Sequence, residues 1–426
     1  VKQTMDGTGT GGFASLVTIA WRNIGRNGRR TALCVTAIAI AVFFNIFMQS
    51  WMAGMIGGIE EVVRTYETGH VHVVSLLFEK DKEYYPVQYP VAEGRAVEDL
   101  VARVEAIPGV TAALPRITAF ASLFDSTVKH ALLWGIDPVR ERQVNLFNLT
   151  DRDDGILEGR YPENGANECA IGFELARKAG LGLGDRLPLK TVSAQFSDKY
   201  WSPRITGIFQ FDYRRFDEDV ILVPFDRLSR ILVLGGGTQQ LLVYAEDPDL
   251  AGRIRGAVSE AVGPGNVVRE WRDNYWVAIL RQSSFMFYVI FTVFQVVASF
   301  LIINTVLMVI HERIKEIGMM GALGMTRGEI VLVFFLEAVI LSALGAAAGC
   351  LAGGLASGIG SLFPIDLETF TGGGMKDMPV SSTIFLKFSP AILAQGFVFG
   401  VAVSALCTLI PSLKSAFIEP VEALRR

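Results

Sequence analysis

Residues 31–51 read TALCVTAIAIAVFFNIFMQSW. No charged side chain interrupts the run, and it reaches the ~20 residues that a helix needs to cross a bilayer. Three more apolar runs follow at 285–310, 330–363 and 391–410. Together they predict an integral membrane protein with four transmembrane α-helices. The first run is longer than the ~7–15 apolar residues of a secretory signal and continues without a small-residue cleavage site, so it reads as a retained anchor.

Composition agrees, because 51% of the 426 residues are hydrophobic and 19% are charged, with a formal net charge of −4. The charge is unevenly spread. Between the first and second runs lie roughly 230 polar-rich residues, the size of a large domain. The expected order is a basic amphipathic segment (1–30), helix 1 (31–53), a large α+β domain with helical stalks (54–282) and helix 2 (283–310). A short amphipathic helix (311–329), helix 3 (330–362), a loop (363–390), helix 4 (391–411) and a tail (412–426) complete it.

Orientation follows from basic residues near the span ends, since Lys and Arg are retained on the cytoplasmic side. Arg22, Arg26, Arg29 and Arg30 precede helix 1, Arg313, Lys315 and Arg327 lie between helices 2 and 3, and Lys414, Arg425 and Arg426 sit in the tail. The loop after helix 3 sets Lys376 and Lys387 against Asp366, Glu368 and Asp377. Both termini are expected in the cytoplasm and the large domain outside it.

Within that domain, strand character marks 70–77, 112–124, 129–136, 204–211, 220–224 and 240–245. Helical patterns mark 96–106, 173–179, 225–231 and 249–262, and 54–68 and 271–281 extend the flanking spans. This predicts a lobe at 69–149 plus 239–270 with a second lobe inserted at about 150–238. Gly180 closes a helix there, and Gly184-Asp185 turns into a strand. Cys34, Cys350 and Cys407 fall in spans, which leaves Cys169 alone in the domain, so a packed core must hold it together. His70 and His72 share one face of a strand, but with only His130 beside them a closed metal site is undersupplied and a packing or surface role is expected. Tyr84, Tyr85 and Tyr89, with Pro86 and Pro90, form an extended loop that either packs or meets a client.

Between helices 2 and 3, HERIKEIGMMGALGMTRGEI (311–330) sets Ile314, Ile317, Met320 and Leu323 at helical spacing amid charge. A short amphipathic helix at the cytoplasmic face follows, with Gly324 as its stop and Thr326 or Arg327 opening helix 3. In helix 3, Gly345, Gly349 and Gly353 recur every four residues, a spacing that lets membrane helices approach closely, within the chain or at a subunit interface. Glu337 lies in the same helix, where a carboxylate needs a partner or a watery route.

Phosphate loops of the type G-x-x-x-x-G-K-[ST], G-x-S-x-G elbows and H-E-x-x-H pairs do not occur, nor does a basic patch suited to nucleic acid. No catalytic role is expected. Glu312, Glu316, Ile317, Gly318, Ala322, Leu323 and Gly324 fit the pattern E-x-x-x-E-I-G-x-x-x-A-L-G. AWRNIGRNGRRT (20–31) precedes helix 1, PSLKSAFIEPVEALRR (411–426) follows helix 4, and ILEGRY and GLGLGD punctuate the inserted lobe. In these features the chain resembles the FtsX/MacB-type permeases of ABC transporters, with residues 283–426 as the FtsX-like permease domain and a MacB-like periplasmic core domain. GHVHVV (69–74) is similar to the strand entry of LolC/LolE-type lipoprotein-releasing subunits.

The resemblance implies a multi-pass protein of the bacterial inner membrane that works with two copies of an ABC ATP-binding subunit and a second permease, identical or paralogous. ATP and Mg would be held by the partner ATPase, and this chain would bind no cofactor. The helix at 311–329, through Glu312, Arg313, Glu316, Ile317, Gly318, Ala322, Leu323 and Gly324, would dock on the ATPase. Trp21, Arg22, Asn23, Arg26, Arg29 and Arg30 would flank it. The client implied is a lipoprotein or other hydrophobic molecule taken from membrane lipid. MacB-like efflux of peptides or drugs and FtsX-like signalling to a cell-wall hydrolase are the alternatives.

Overall fold

The computed structural model describes residues 16–22, 24, 28–124, 128–144, 155–211, 213–312, 319, 325–363, 365–366 and 383–416. Helix α1 (Gly28–Val62) passes through a π-turn (Val63–Glu67) into β1 (Val71–Ser75) and the short helix α2 (Leu76–Lys80). Next come α3 (Val97–Glu105), the long strand β2 (Val110–Leu123), β3 (His130–Ile136) and α4 (Pro138–Gln143). The middle of the chain supplies β4 (Ile156–Gly159), β5 (Glu168–Gly172), α5 (Phe173–Ala179) and a hairpin of β6 (Leu189–Val192) and β7 (Asp198–Trp201). It continues through β8 (Arg204–Phe209), α6 (Arg214–Asp219), β9 (Val220–Pro224) and α7 (Phe225–Leu232). Then β10 (Gln240–Ala245), α8 (Ala251–Val262) and β11 (Asn266–Glu270) lead to α9 (Tyr275–Glu312), α10 (Arg327–Leu362) and α11 (Pro390–Ala416).

Two compact units result. One comprises Val1–Gly54, Gln282–Ile365 and Phe385–Arg426, and the other Met55–Arg281 and Asp366–Ile384. Among the described residues, four stretches of helix, Thr31–Glu67, Tyr275–Val297, Arg327–Leu362 and Pro390–Leu409, are long and apolar enough to cross a membrane.

In the second unit the strands order as β11-β1-β10-β2-β3-β9-β5-β8-β4, with β6 on β2 and β7 on β6. Pairing is mixed, β3 with β9 and β5 with β8 being parallel. The two lobes expected from the sequence thus share one sheet, joined where Leu133 of β3 lies opposite Ile221 of β9. Strand β9 is buried throughout, and its alternation fills both faces. Ile221 and Val223 enter one core with Ile117, Leu133 and Leu228, while Val220 and Leu222 enter another with Tyr66, Phe209 and Phe216. A strand covered on both faces carries a continuous apolar run, which VILVP supplies. Gly180 caps α5 in the left-handed region at φ +67°, where a Cβ would be strained. Cys169 is fully buried in β5, and burial pushes its thiol far up, so it serves as core.

Thr326 opens α10 with a capping box: its hydroxyl accepts from Glu329 N–H at 3.3 Å, and the Glu329 carboxylate accepts from Thr326 N–H at 2.7 Å. In the helical unit, the ridge Ile38, Val42 and Ile46 of α1 is seated against glycines of two other helices. A Cβ built at Gly345, Gly349 or Gly353 of α10 would approach Ile38 Cβ at 2.6 Å, Val42 Cβ at 2.8 Å or Ile46 Cβ at 3.0 Å. At Gly396 and Gly400 of α11 it would meet Ile46 at 2.7 Å and Val42 at 2.6 Å. The glycine stripe therefore packs helices within the chain. Ser357 donates from the same face of α10 to Ser50 of α1 at 3.0 Å.

Gly349→Val should lower stability by about 1–3 kcal/mol through overpacking, because Val42 and the Ala39 carbonyl cannot both withdraw. Gly57→Ala, with no atom within 4 Å of the added carbon, should be neutral or stabilising by up to ~1 kcal/mol. Thermal melts of the two purified variants beside wild type check the contrast.

Candidate functional site

The sheet unit receives α1 and releases α9 at one junction, built around residues 60–68 and 270–281. The chain leaves α1 through a π-turn because Thr68 N–H bonds the Val63 carbonyl at 2.9 Å, five residues back. Carbonyls at a helix end lack partners in the helix, and here the sheet supplies them. Tyr244 OH donates to Thr65 O at 2.9 Å, and Arg116 Nη1 donates to Tyr66 O at 2.8 Å. Arg116 also pairs with Glu141 at 2.6 Å, the two side chains being 4% and 1% exposed, and lies 4.5 Å over the Trp134 ring. Burial pushes the Glu141 carboxyl up, and the adjacent guanidinium opposes that. The Tyr66 ring packs on Phe211 and Phe216 at 5.5 and 5.2 Å. The end of the helix is thus set in a dry aromatic cluster.

Glu67 ties three elements together. Its carboxylate accepts from Tyr213 OH at 3.2 Å and from Asn274 Nδ2 at 3.4 Å, just before α9 begins. Burial raises the carboxyl, with the nearby Arg215 guanidinium opposing. Above it, Arg281 of α9 donates through Nε and Nη2 to Glu60 Oε1 at 3.1 and 2.9 Å. The buried Trp271 ring carries three guanidinium groups, those of Arg64, Arg272 and Arg281, at 5.1, 4.8 and 5.5 Å. These cation–π contacts and the ion pair brace α1 against α9 at the sheet.

Both strand histidines serve structure. Burial, reinforced by Arg64, pushes His70 down to about 4, and its Nδ1 accepts from Ala245 N–H at 2.9 Å. Burial likewise pushes His72 down to about 4. Gln240 Nε2 donates to Thr118 Oγ1 at 3.1 Å, which leaves Gln240 Oε1 to accept from His72 Nε2–H at 2.9 Å. Among the described residues no group of three or more His, Cys, Asp or Glu side chains could hold a metal. The tyrosine loop packs in part: Gln239 Nε2 donates to Pro86 O at 3.1 Å and Tyr85 meets Phe120 edge-on, while Tyr84 stays 74% exposed.

Of the residues expected at the cytoplasmic face, Glu312 ends α9, and Trp21 and Arg22 lie exposed on a helical segment at residues 16–22. Arg29 and Arg30 open α1, Arg29 exposed. Asn23, Arg26, Arg313, Glu316, Ile317, Gly318, Ala322, Leu323 and Gly324 lie outside the described residues. Glu337 is half-buried on α10. The junction residues Glu60, Glu67, Arg116 and Glu141 carried no sequence signal, since the hydrogen-bond partners of their side chains there stand 25–221 positions away.

The description FtsX-like permease C-terminal matches residues 288–420, and MacB-like periplasmic core domain matches residues 31–261, more than half of the chain. The chain belongs to the FtsX/MacB family of ABC transporter permeases. It is 22% identical over 352 residues to the lipoprotein-releasing system transmembrane protein LolC of Xylella fastidiosa, covering 78% of this chain and 83% of that one. LolC of Neisseria meningitidis is 22% identical over 334 residues, covering 74% and 78%. The macrolide export ATP-binding/permease protein MacB of Chlorobium phaeobacteroides is 26% identical over 223 residues, 49% of this chain and 31% of that protein.

Linkage gives the buried histidines a pH signature in this permease. Their folded pKa lies below the ordinary 6.5, so the unfolded chain binds more protons between pH 6.5 and about 4. Stability is fully present above 6.5 and is lost as the pH falls towards 4. Denaturant unfolding at pH 7 and pH 5 should show a smaller loss for His72→Gln than for wild type; equal losses would remove His72 from the account.

Proposed function

We propose that this permease moves its MacB-like core domain, outside the cytoplasm, in response to ATP hydrolysis on a separate ATP-binding subunit, and so releases a lipidated or otherwise hydrophobic client from the bacterial inner membrane. The observation that carries this reading is the junction. Glu67, Asn274, Glu60 and Arg281 join the end of α1 to the start of α9 on one sheet, so displacement of either helix would reach the same strands. Mechanical transmission needs such rigid, two-ended elements.

In the proposed assembly two ATP-binding subunits hold ATP and Mg, this chain binds no cofactor, and a second permease, identical or paralogous, completes the membrane portion. The segment 311–329, including Glu316 and Gly318, contacts the ATPase, and the basic segment with Trp21 and Arg22 supports it. Both termini lie in the cytoplasm. The likeness to LolC proteins along most of both chains supports a lipoprotein client. The likeness to MacB supports the second reading, export of peptides or drugs.

Purification with the cognate ATPase, followed by mass spectrometry of bound lipidated proteins, separates the two. Recovered lipoproteins favour release, whereas their absence combined with ATPase stimulation by a soluble peptide or drug favours export. Glu316→Ala and Gly318→Leu should each reduce client-stimulated ATP turnover by about fivefold or more, the lower end of a coupling of ~1–3 kcal/mol, with membrane insertion intact. Unchanged stimulated turnover would remove the segment from the coupling path. Protease added to right-side-out vesicles should cut the sheet domain, and protection there with cleavage in inverted vesicles would reverse the proposed orientation.

A further inference from the structure

Four carboxylates border a cavity of about 480 Å³ in the sheet unit, and three of them are ion-paired. Glu79 meets Lys82 at 2.9 Å and Arg269 at 2.7 Å, while Glu270 and Asp273 each meet Arg255 at 3.8 Å. Glu67, which belongs to the same unit, differs. Among the described residues no Lys or Arg nitrogen lies within ion-pair distance of its carboxyl, and its two oxygens accept from neutral donors, Tyr213 OH at 3.2 Å and Asn274 Nδ2 at 3.4 Å. An ionised acceptor draws its donors in to about 2.5–2.9 Å, as the nearby buried Asp217 does with Phe211 N–H at 2.9 Å. The longer contacts at Glu67 suit a carboxyl that keeps its proton.

A proton fits that geometry without breaking it. Placed on Oε1, it is donated to the Tyr213 oxygen, whose hydroxyl can turn, while Oε2 goes on accepting from Asn274. The Asn274 amide cannot reverse in the same way, because its Oδ1 accepts from Trp276 N–H at 2.9 Å. With its backbone carbonyl accepting from Ala278 N–H at 2.9 Å, Asn274 closes the first turn of α9. Ionised, the Glu67 carboxylate is drawn towards the Arg215 guanidinium and towards water in the cavity, away from Asn274.

The groups that act on Glu67 come from four places: Tyr213 just before α6, Arg215 in α6, Tyr85 in the tyrosine loop and Asn274 just before α9. Arg215 is shared with Asp219. Burial pushes both phenols up, so neither changes charge near neutrality. Burial also raises the Glu67 carboxyl from its ordinary 4.5, and Arg215 opposes that. A carboxyl raised in the folded state contributes fully below 4.5, and its contribution is lost as the pH climbs through the raised value.

We propose that Glu67 is a proton-operated pin: protonated, it holds Tyr213 and Asn274 and keeps the first turn of α9 closed on the sheet, and ionised, it releases that turn. The cavity that Glu67 borders supplies the path for the proton. Acidity on the sheet domain's side of the membrane thereby sets how firmly α9 is held. This goes beyond the transport reading and does not rest on it.

The test is amide hydrogen exchange on the full chain in lipid nanodiscs, from about pH 5.5 to about pH 8, with rates corrected for intrinsic exchange at each pH. The amides of Trp276 and Ala278, which bond Asn274 directly, are the reporters. In wild type their protection should fall at least about fivefold across that range. Glu67→Gln, a permanently neutral side chain that can donate to Tyr213 and accept from Asn274, should keep the acid-side protection at every pH. Constant protection in wild type, the wild-type fall retained in Glu67→Gln, or Glu67→Gln less protected than wild type at about pH 5.5 would each overturn the pin. Should Glu67→Gln fail to fold, Arg215→Gln decides, because removing the guanidinium that opposes burial must move the midpoint of the fall to higher pH, and an unmoved midpoint overturns the proposal. The exchange measurement uses neither ATPase nor client, so its failure would leave the transport reading standing.

Discussion

A guanidinium withdrawn from water must find partners at once, and Arg116 finds three: the Tyr66 carbonyl, the Glu141 carboxylate and the face of Trp134. Breaking a buried ion pair by removing one partner typically costs ~3–5 kcal/mol, because the other charge stays desolvated. Arg116 holds the π-turn that follows α1 to β2, and β2 is the strand on which the sheet depends. Its first half pairs with β10 and its second with β3 and β6. The aromatic rings around Tyr66 and the node at Glu67 lie on the same turn that Arg116 fixes.

The helical unit is held by different physics. In lipid, apolar side chains gain nothing by leaving one apolar surroundings for another, so close packing has to supply the adhesion. The ridge of Ile38, Val42 and Ile46 meets glycines on both α10 and α11, and removing the Cβ atoms at five positions lets three helices touch along one line. β-branched side chains suit the ridge because they are stiff at χ1 and present a fixed shape to the groove.

Long features were legible in the sequence and short ones were not. Each span exceeded any other apolar run, and strands with apolar character such as β2, β3, β9 and β10 stood out from their surroundings. Strands β4, β5, β6, β7 and β11 have four or five residues each and include Glu158, Glu168, Lys190, Lys199 and Arg269, so alternation could not separate them from loops. The every-fourth glycine pattern in α10 was visible, but its partner on α1 was not, since spacing along one helix says nothing about which helix it faces. The same limit hid the junction: Glu60 and Arg281 meet across 221 positions, and only the folded sheet brings them together. The residues from Arg313 to Gly324 were singled out through amphipathic spacing and family resemblance, and all but Met319 lie outside the described residues.

The π-turn at Val63–Glu67 acts as a phase setting between helix and sheet. One residue of α-helix advances about 100° around its axis, so an insertion or deletion in this turn would spin residues 55–62 by nearly a third of a revolution against the strands. Glu60 would then point away from Arg281, and the Arg64 guanidinium would leave the Trp271 ring. This five-residue turn therefore has to keep its count.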